Sequence, residues 1–166
     1  PDLDHKTPEH LARNPLGTLP VLEDGDITIY DSQAILVYLA RKHGGEDWLP
    51  GDAAGQALVQ QWLSYAVNEI WNGPALARAF LLFNRDVDLA RCQAAGQSAL
   101  AHLDARLSAH DWLALDRPTI ADIACYPYSA LAEAGEISLA PYQALNAWFK
   151  RIEALPGYVS MPGLGG

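Results

Sequence analysis

The sequence predicts a small α/β unit followed by an all-helical one. Three observations carry this. Residues 19–30 read as a β-hairpin that feeds a helix at Asp31-Ser32. From Asp52 onward apolar residues recur at helical spacing, and alternating strand patterns stop. Arg117-Pro118-Thr119-Ile120-Ala121-Asp122 then opens a helix with a capping signature. The expected division is 1–45 for the first unit, 46–52 for a linker and 53–166 for the helical domain.

In the first unit Thr7-Pro8-Glu9 starts a helix, with Thr as cap, Pro at the first helical position and an acid near the positive dipole end. Leu11 and Ala12 are expected to bury, and Asn14-Pro15 ends the helix. Leu19 to Leu22 is expected as a strand. It carries Pro20, which cannot donate to a ladder and so suits a strand start or an edge. Glu23-Asp24-Gly25-Asp26 is the expected turn, with Asp-Gly supplying positive φ. Ile27 to Tyr30 returns, with Ile27 and Ile29 on one face. Ser32 to His43 is expected as a helix striped by Ala34, Ile35, Tyr38 and Leu39, closed by Gly44-Gly45. Two strands flanked by helices do not make a stable unit, so further strands are expected.

The linker should dock through Trp48 and Leu49. Asp52 caps a long helical segment reaching about Asn84, with Leu58, Trp62, Tyr65, Ala66, Glu69 and Ile70 inward and a kink at Asn72-Gly73-Pro74. Phe80 to Phe83 ends it in a bulky apolar cluster. Asp88 to Ala109 is the second long helix, with Leu89, Cys92, Ala99, Leu103 and Leu107 as its core side. Ile123 to Tyr128 is apolar nearly all round, which predicts the central buried helix. Pro141 opens the last helix, whose apolar side is Leu145, Trp148, Phe149 and Ile152. Met161 to Gly166 reads as a tail.

Half of the 166 residues are hydrophobic, enough for a sizeable core without disulfides or metal. A net charge of −9 argues against nucleic-acid and anionic-membrane surfaces. The two cysteines, Cys92 and Cys125, are far apart and read as reduced, buried thiols. Five scattered histidines without HExxH or HxH spacing predict no metal site. There is no GxGxxG, GxxxxGK[ST] or GxSxG. No secretory signal or 18-residue apolar run is present, so a soluble, cytoplasmic protein is expected.

Two places can carry chemistry. Asp31-Ser32 reads first as a plain N-cap. It also reads as an anion pocket, where the Ser32 hydroxyl and backbone N–H hold a carboxylate and Asp31 pairs with an ammonium. An α-amino acid carries both charges on one carbon. At Leu19-Pro20 the proline can turn the Leu19 N–H and C=O outward, toward an extended peptide. His5 and Lys6 can meet a second carboxylate. Tyr65, Trp71 and Arg78 flank the expected kink and can line a pocket.

Taken together, Asn14-Pro15-Leu16-Gly17-Thr18-Leu19-Pro20-Val21-Leu22, Asp31-Ser32-Gln33-Ala34-Ile35 with Tyr38-Leu39, and Arg117 to Asp122 resemble the glutathione S-transferase family, in its bacterial, theta- or beta-like form. The resemblance covers essentially the whole chain. It implies a thioredoxin-like N-terminal domain, here partial, followed by a helical bundle, normally in a homodimer. It implies a cis Pro20, a Leu19 backbone paired with the cysteinyl part of glutathione, and Asp31 and Ser32 at the γ-glutamyl end. His5 falls where theta-like members place a histidine near the glycyl carboxylate. At Thr18 those members often carry a basic residue, so that carboxylate is held less firmly here. The family's first strand, first helix and much of its second strand have no counterpart in residues 1–166. A β-α-β unit takes roughly 30 or more residues. The expectation is a segment upstream of Pro1 that holds the Tyr, Ser or Cys acting on the glutathione sulfur. The implied activity is conjugation of the glutathione thiolate to an electrophilic small molecule, in detoxification, with glutathione as co-substrate and no metal. The alternatives are a glutathione-dependent disulfide reductase, isomerase or dehalogenase, or a non-catalytic interaction protein on the same fold.

Overall fold

A computed structural model describes residues 4–163. Pro1 and the last three residues of the expected tail lie outside them. The chain opens with a 3₁₀ turn, Asp4–Lys6, and helix α1, Pro8–Arg13. Thr7 caps α1, its hydroxyl accepting from the His10 N–H at 3.3 Å. The side chain that α1 buries is His10; Leu11 and Ala12, expected inside, are exposed. A six-residue helix has room for one inward position, and the loop beyond it takes that position with a polar group.

The ladder also differs from the expected strand. β1 is Leu22–Asp24 and β2 is Ile27–Ile29, antiparallel, with Leu22 opposite Ile29 and Asp24 opposite Ile27. Leu19 to Val21 precede the ladder, because a proline supplies no N–H to it. The loop is therefore the two residues Gly25-Asp26. Only its first position has positive φ, Gly25 at 61°, which is the arrangement expected of Gly-first hairpins. Ile27 is exposed and Ile29 half-buried. These two strands are the only ones among the described residues.

α2, Ser32–Leu39, continues as a π-helical segment, Ala40–Gly44, and a short α3, Gly45–Trp48. Its core-facing side is Leu36, Val37 and Ala40. Ala34 and Leu39, expected in the stripe, are exposed. The buried stripe is thus rotated by about one position, toward the helical bundle. Arg41 donates to the Leu49 and Pro50 carbonyls at 3.2 and 2.8 Å, and Arg117 to those of Asp47 and Glu46 at 3.1 and 2.6 Å. Two guanidinium forks therefore hold residues 46–50, and Leu49 is buried.

α4, Ala53–Tyr65, is capped by Asp52, whose Oδ1 accepts from the Gly55 N–H at 2.9 Å. It runs on through a π-helical stretch, Ala66–Ala75, into α5, Leu76–Phe83. The expected kink is this widened stretch: Pro74 lacks the N–H an α-turn needs, and a π-turn shifts the pairing around it. Val59, Trp62, Leu63, Ala66 and Ile70 are buried, whereas Leu58 and Glu69, expected inward, are exposed. Of the Phe80–Phe83 cluster Phe80 is half-buried and Leu81 to Phe83 are exposed, next to an αL cap on Asn84.

α6, Leu89–Leu107, α7, Ile120–Ala130, and α8, Gln143–Glu153, complete the bundle. α7 is its centre. Thr119 Oγ1 accepts from the Ala121 N–H at 3.2 Å, and Asp122 Oδ2 accepts from the Thr119 N–H at 2.9 Å, a capping box. Pro141 lies in the turn before α8, which Tyr142 caps, so it is not the first helical residue as expected. Leu145, Trp148, Phe149 and Ile152 all bury. Each such side chain contributes roughly 1.5–3 kcal/mol of burial.

Candidate functional site

The hairpin register organises the site. Leu22 lies opposite Ile29 as the last pair of the ladder, so the chain before β1, Leu19-Pro20, and the chain after β2, Asp31-Ser32, leave the hairpin at the same end. The Leu19-Pro20 bend and the start of α2 thus sit at one end of the hairpin. The Leu19–Pro20 peptide is cis. Leu19 is exposed, and so are Asp31 and Ser32.

Asp31 caps α2 with a single oxygen. Oδ1 accepts from the Gln33 and Ala34 N–H groups at 3.0 and 2.8 Å. Ser32 Oγ accepts from Gln33 Nε2 at 3.4 Å. His5 is half-buried in the 3₁₀ turn, its backbone beside Gly17. Lys6 turns to the loop, where Nζ donates to the Gly17 carbonyl at 2.8 Å. A cavity of about 560 Å³ opens between α2 and α4, lined in part by Asp31, Gln33, Tyr38, Arg41 and Gln60.

Tyr65, Trp71 and Arg78 have three separate sets of neighbours. The Tyr65 hydroxyl donates to the Ala99 carbonyl at 3.0 Å, and its ring stacks on His102. Burial raises its phenol well above the ordinary range, so it stays protonated. Trp71 is half-exposed, with the Tyr128 ring edge-on at 6.0 Å and the Arg85 guanidinium over its face at 5.8 Å. Arg78 lies over the Phe83 ring at 5.8 Å.

Both thiols are inside. Burial raises those of Cys92 and Cys125, which makes them poor nucleophiles. Among the described residues no cluster of three or more His, Cys, Asp or Glu gathers as a metal site would, and no helix is long and apolar enough to cross a membrane.

Sequence reasoning missed Gln33, Arg41 and Gln60 in the cleft, and the group behind the Leu19 loop. There Lys6 reaches the Gly17 carbonyl, and His10 and Asn14 both reach that of Thr18. Lys6 lies in the 3₁₀ turn before α1, His10 within α1 and Asn14 at its C-cap, so no single helical period announced them.

A hairpin end with an exposed Leu19 and a capped helix start, set across a cleft from a helical bundle, is the arrangement of an α/β unit joined to an all-helical one. The glutathione S-transferase N-terminal domain model matches residues 1–42, and the C-terminal domain model matches 76–156. Glutathione S-transferase 4 of Zea mays is 33% identical over 165 residues, covering 93% of this chain and 74% of the relative. Glutathione S-transferase 2 of Anopheles gambiae is 30% identical over 158 residues, covering 92% and 75%. Among solved structures, a glutathione S-transferase from Xanthobacter autotrophicus superposes with a TM-score of 0.87 at 32% identity, over 96% of this chain and 80% of that one. A glutathione transferase homologue from Drosophila mojavensis with bound glutathione superposes at 0.82 and 31% identity, over 93% and 72%. The chain belongs to the glutathione S-transferase family, and its fold is that of the family: a partial thioredoxin-like unit followed by the helical bundle.

Proposed function

We propose that this chain holds glutathione for attack by its thiolate on an electrophilic small molecule. The register that brings Leu19-Pro20 and Asp31-Ser32 to one hairpin end is the observation that carries this reading. One end of an extended tripeptide then meets a carboxylate, a hydroxyl and helix N–H groups, while its middle meets exposed backbone. In this reading Asp31 pairs with the γ-glutamyl ammonium and Ser32 holds the neighbouring carboxylate. The Leu19 N–H and C=O pair with the cysteinyl residue beside Pro20, and His5 approaches the glycyl carboxylate. Fixing three points of the peptide converts binding energy into orientation of the sulfur.

The electrophile is placed against residues 65–78. Of the three residues there, Trp71 offers the most exposed ring, while Tyr65 is engaged with Ala99 and Arg78 lies over Phe83. The proposal assigns binding and orientation to these residues and names no thiol-activating group among them. It includes a cytoplasmic homodimer acting in detoxification, and the division at 1–45, 46–52 and 53–166.

Retention of the full-length protein on immobilised glutathione tests the site. Wild type is expected to bind and Ser32→Ala to elute roughly tenfold more readily, since a hydrogen bond to a charged group is lost. Equal retention of the two proteins overturns the assignment. Turnover with a panel of electrophiles then tests the conjugation chemistry.

A further inference from the structure

We infer that His10 is a positioning residue for the Leu19 backbone, acting through the Thr18 carbonyl; this rests on the glutathione reading above. His10 is 7% exposed and is the side chain by which α1 packs inward. Its Nε2 lies 2.9 Å from the Thr18 oxygen. A carbonyl only accepts, so Nε2 carries the hydrogen. Asn14 Nδ2 donates to the same oxygen at 2.8 Å and to Thr18 Oγ1 at 2.9 Å. Both lone pairs of the Thr18 carbonyl are then engaged from the α1 side.

The rest of the loop is fastened from that side as well. Asn14 Oδ1 accepts from the Leu16 N–H at 3.0 Å, and Lys6 Nζ donates to the Gly17 carbonyl at 2.8 Å. Leu19, 70% exposed, is the first residue beyond these ties. The Thr18 C=O and the Leu19 N–H belong to one planar trans peptide and point in opposite directions. Holding the oxygen toward α1 therefore aims the Leu19 N–H away from it, toward the peptide that would pair there. A side chain that only filled space at position 10 would leave that plane held by Asn14 alone.

The test is glutathione affinity, by calorimetric titration of the full-length protein, for wild type, His10→Gln, His10→Phe and Ser32→Ala. Gln can present a donor near the place of Nε2; Phe fills the volume and donates nothing. His10→Phe is expected to bind roughly threefold to tenfold more weakly, as loss of one net hydrogen bond requires, with His10→Gln close to wild type. In turnover the same variant should raise KM for glutathione and leave kcat nearly unchanged. Wild-type affinity in His10→Phe, with Ser32→Ala weakened, overturns the role of His10 and spares the site. Equal weakening in Phe and Gln overturns the donor role in favour of packing. Unchanged affinity in Ser32→Ala overturns the site reading and this inference together. A long-range ¹H–¹⁵N spectrum of the wild type reads the tautomer without any variant: a protonated Nε2 is expected, and an unprotonated one overturns the geometry.

Discussion

Trp148 Nε1 donates to Asp122 Oδ1 at 3.0 Å, deep in the helical bundle. The same oxygen accepts from the Leu113 N–H at 3.1 Å, and Oδ2 accepts from the Thr119 N–H at 2.9 Å and its hydroxyl at 3.3 Å. One carboxyl thus ties the loop before α7, its first turn and α8. Burial raises this carboxyl above its ordinary value, and the four hydrogen bonds offset only part of that rise. Asp122→Ala leaves three buried N–H donors without an acceptor and should cost roughly 3–5 kcal/mol. Asp122→Asn keeps one acceptor oxygen and should cost roughly 1–3 kcal/mol. Urea unfolding with an unchanged m-value checks the order; equal losses would show that the hydrogen bonds do not decide.

The close approach of the π-helical stretch to α6 sets a second prediction. A Cβ added at Gly73 would lie 2.6 Å from Gly96 Cα and 2.7 Å from its nitrogen, both backbone. A Cβ at Gly96 would meet mainly the tip of Ile137, which can turn aside, at 2.4 Å. Alanine would otherwise favour a helix by up to about 1 kcal/mol. Gly73→Ala should therefore destabilise by roughly 1–3 kcal/mol, and Gly96→Ala by less. Thermal melts of the two variants compare them directly; a Gly96→Ala loss larger than that of Gly73→Ala would contradict the backbone clash.

Asp24, at the end of β1, is ion-paired and hydrogen-bonded to Lys42 and accepts from the Tyr38 hydroxyl at 3.2 Å. The Lys42 hydrogen bond first, and Tyr38 second, hold the Asp24 carboxyl below its ordinary range, while Asp24 raises Lys42. An acid depressed in the folded state stabilises above its unfolded pKa and loses that as pH falls through the folded one. A raised lysine stabilises below its unfolded pKa and loses that as pH rises through the folded one. The tie between hairpin and α2 should thus hold across neutral pH and fade at both extremes. Lys42 is exposed and Asp24 half-buried at the surface, so salt should weaken it further. The difference in Tm between wild type and Lys42→Gln, followed across pH, should shrink below the carboxylate range and again above the lysine range. A difference constant over the whole range would show that the pair contributes nothing specific.

How legible the molecule was in its sequence depended on which force set each element. Caps were readable because they are local: Thr7, Asp31, Asp52 and Thr119 all accept from their own first turns. The inward face of α8 was readable because four apolar residues share one side of an otherwise polar helix. The stripe of α2 was not. Its residues are apolar on several sides, and only packing against the bundle chose Leu36, Val37 and Ala40 over Ala34 and Leu39. Glu69 was misplaced because the π-helical stretch changes the period that a 3.6-residue reading assumes. At the candidate site the backbone bend and the helix start were visible as motifs. The support behind them was not, since Lys6 and His10 act on carbonyls of a loop whose course only tertiary structure defines.

In the proposed function Asp31 does two things, capping α2 and holding a ligand ammonium, and substitution can separate them. Its Oδ1 takes both cap hydrogen bonds, from Gln33 and Ala34, which leaves Oδ2 and the negative charge for a ligand ammonium. Asparagine caps about as well as aspartate, so Asp31→Asn should keep stability within about 0.5 kcal/mol. It loses the charge, however, and glutathione should bind roughly tenfold more weakly. Asp31→Ala removes cap and charge together. It should lose about 1 kcal/mol of stability and at least as much affinity as Asp31→Asn. Thermal melts and calorimetric titration of both variants give the two axes. If Asp31→Asn binds glutathione as the wild type does, then Asp31 is a helix cap alone and the ammonium is held elsewhere.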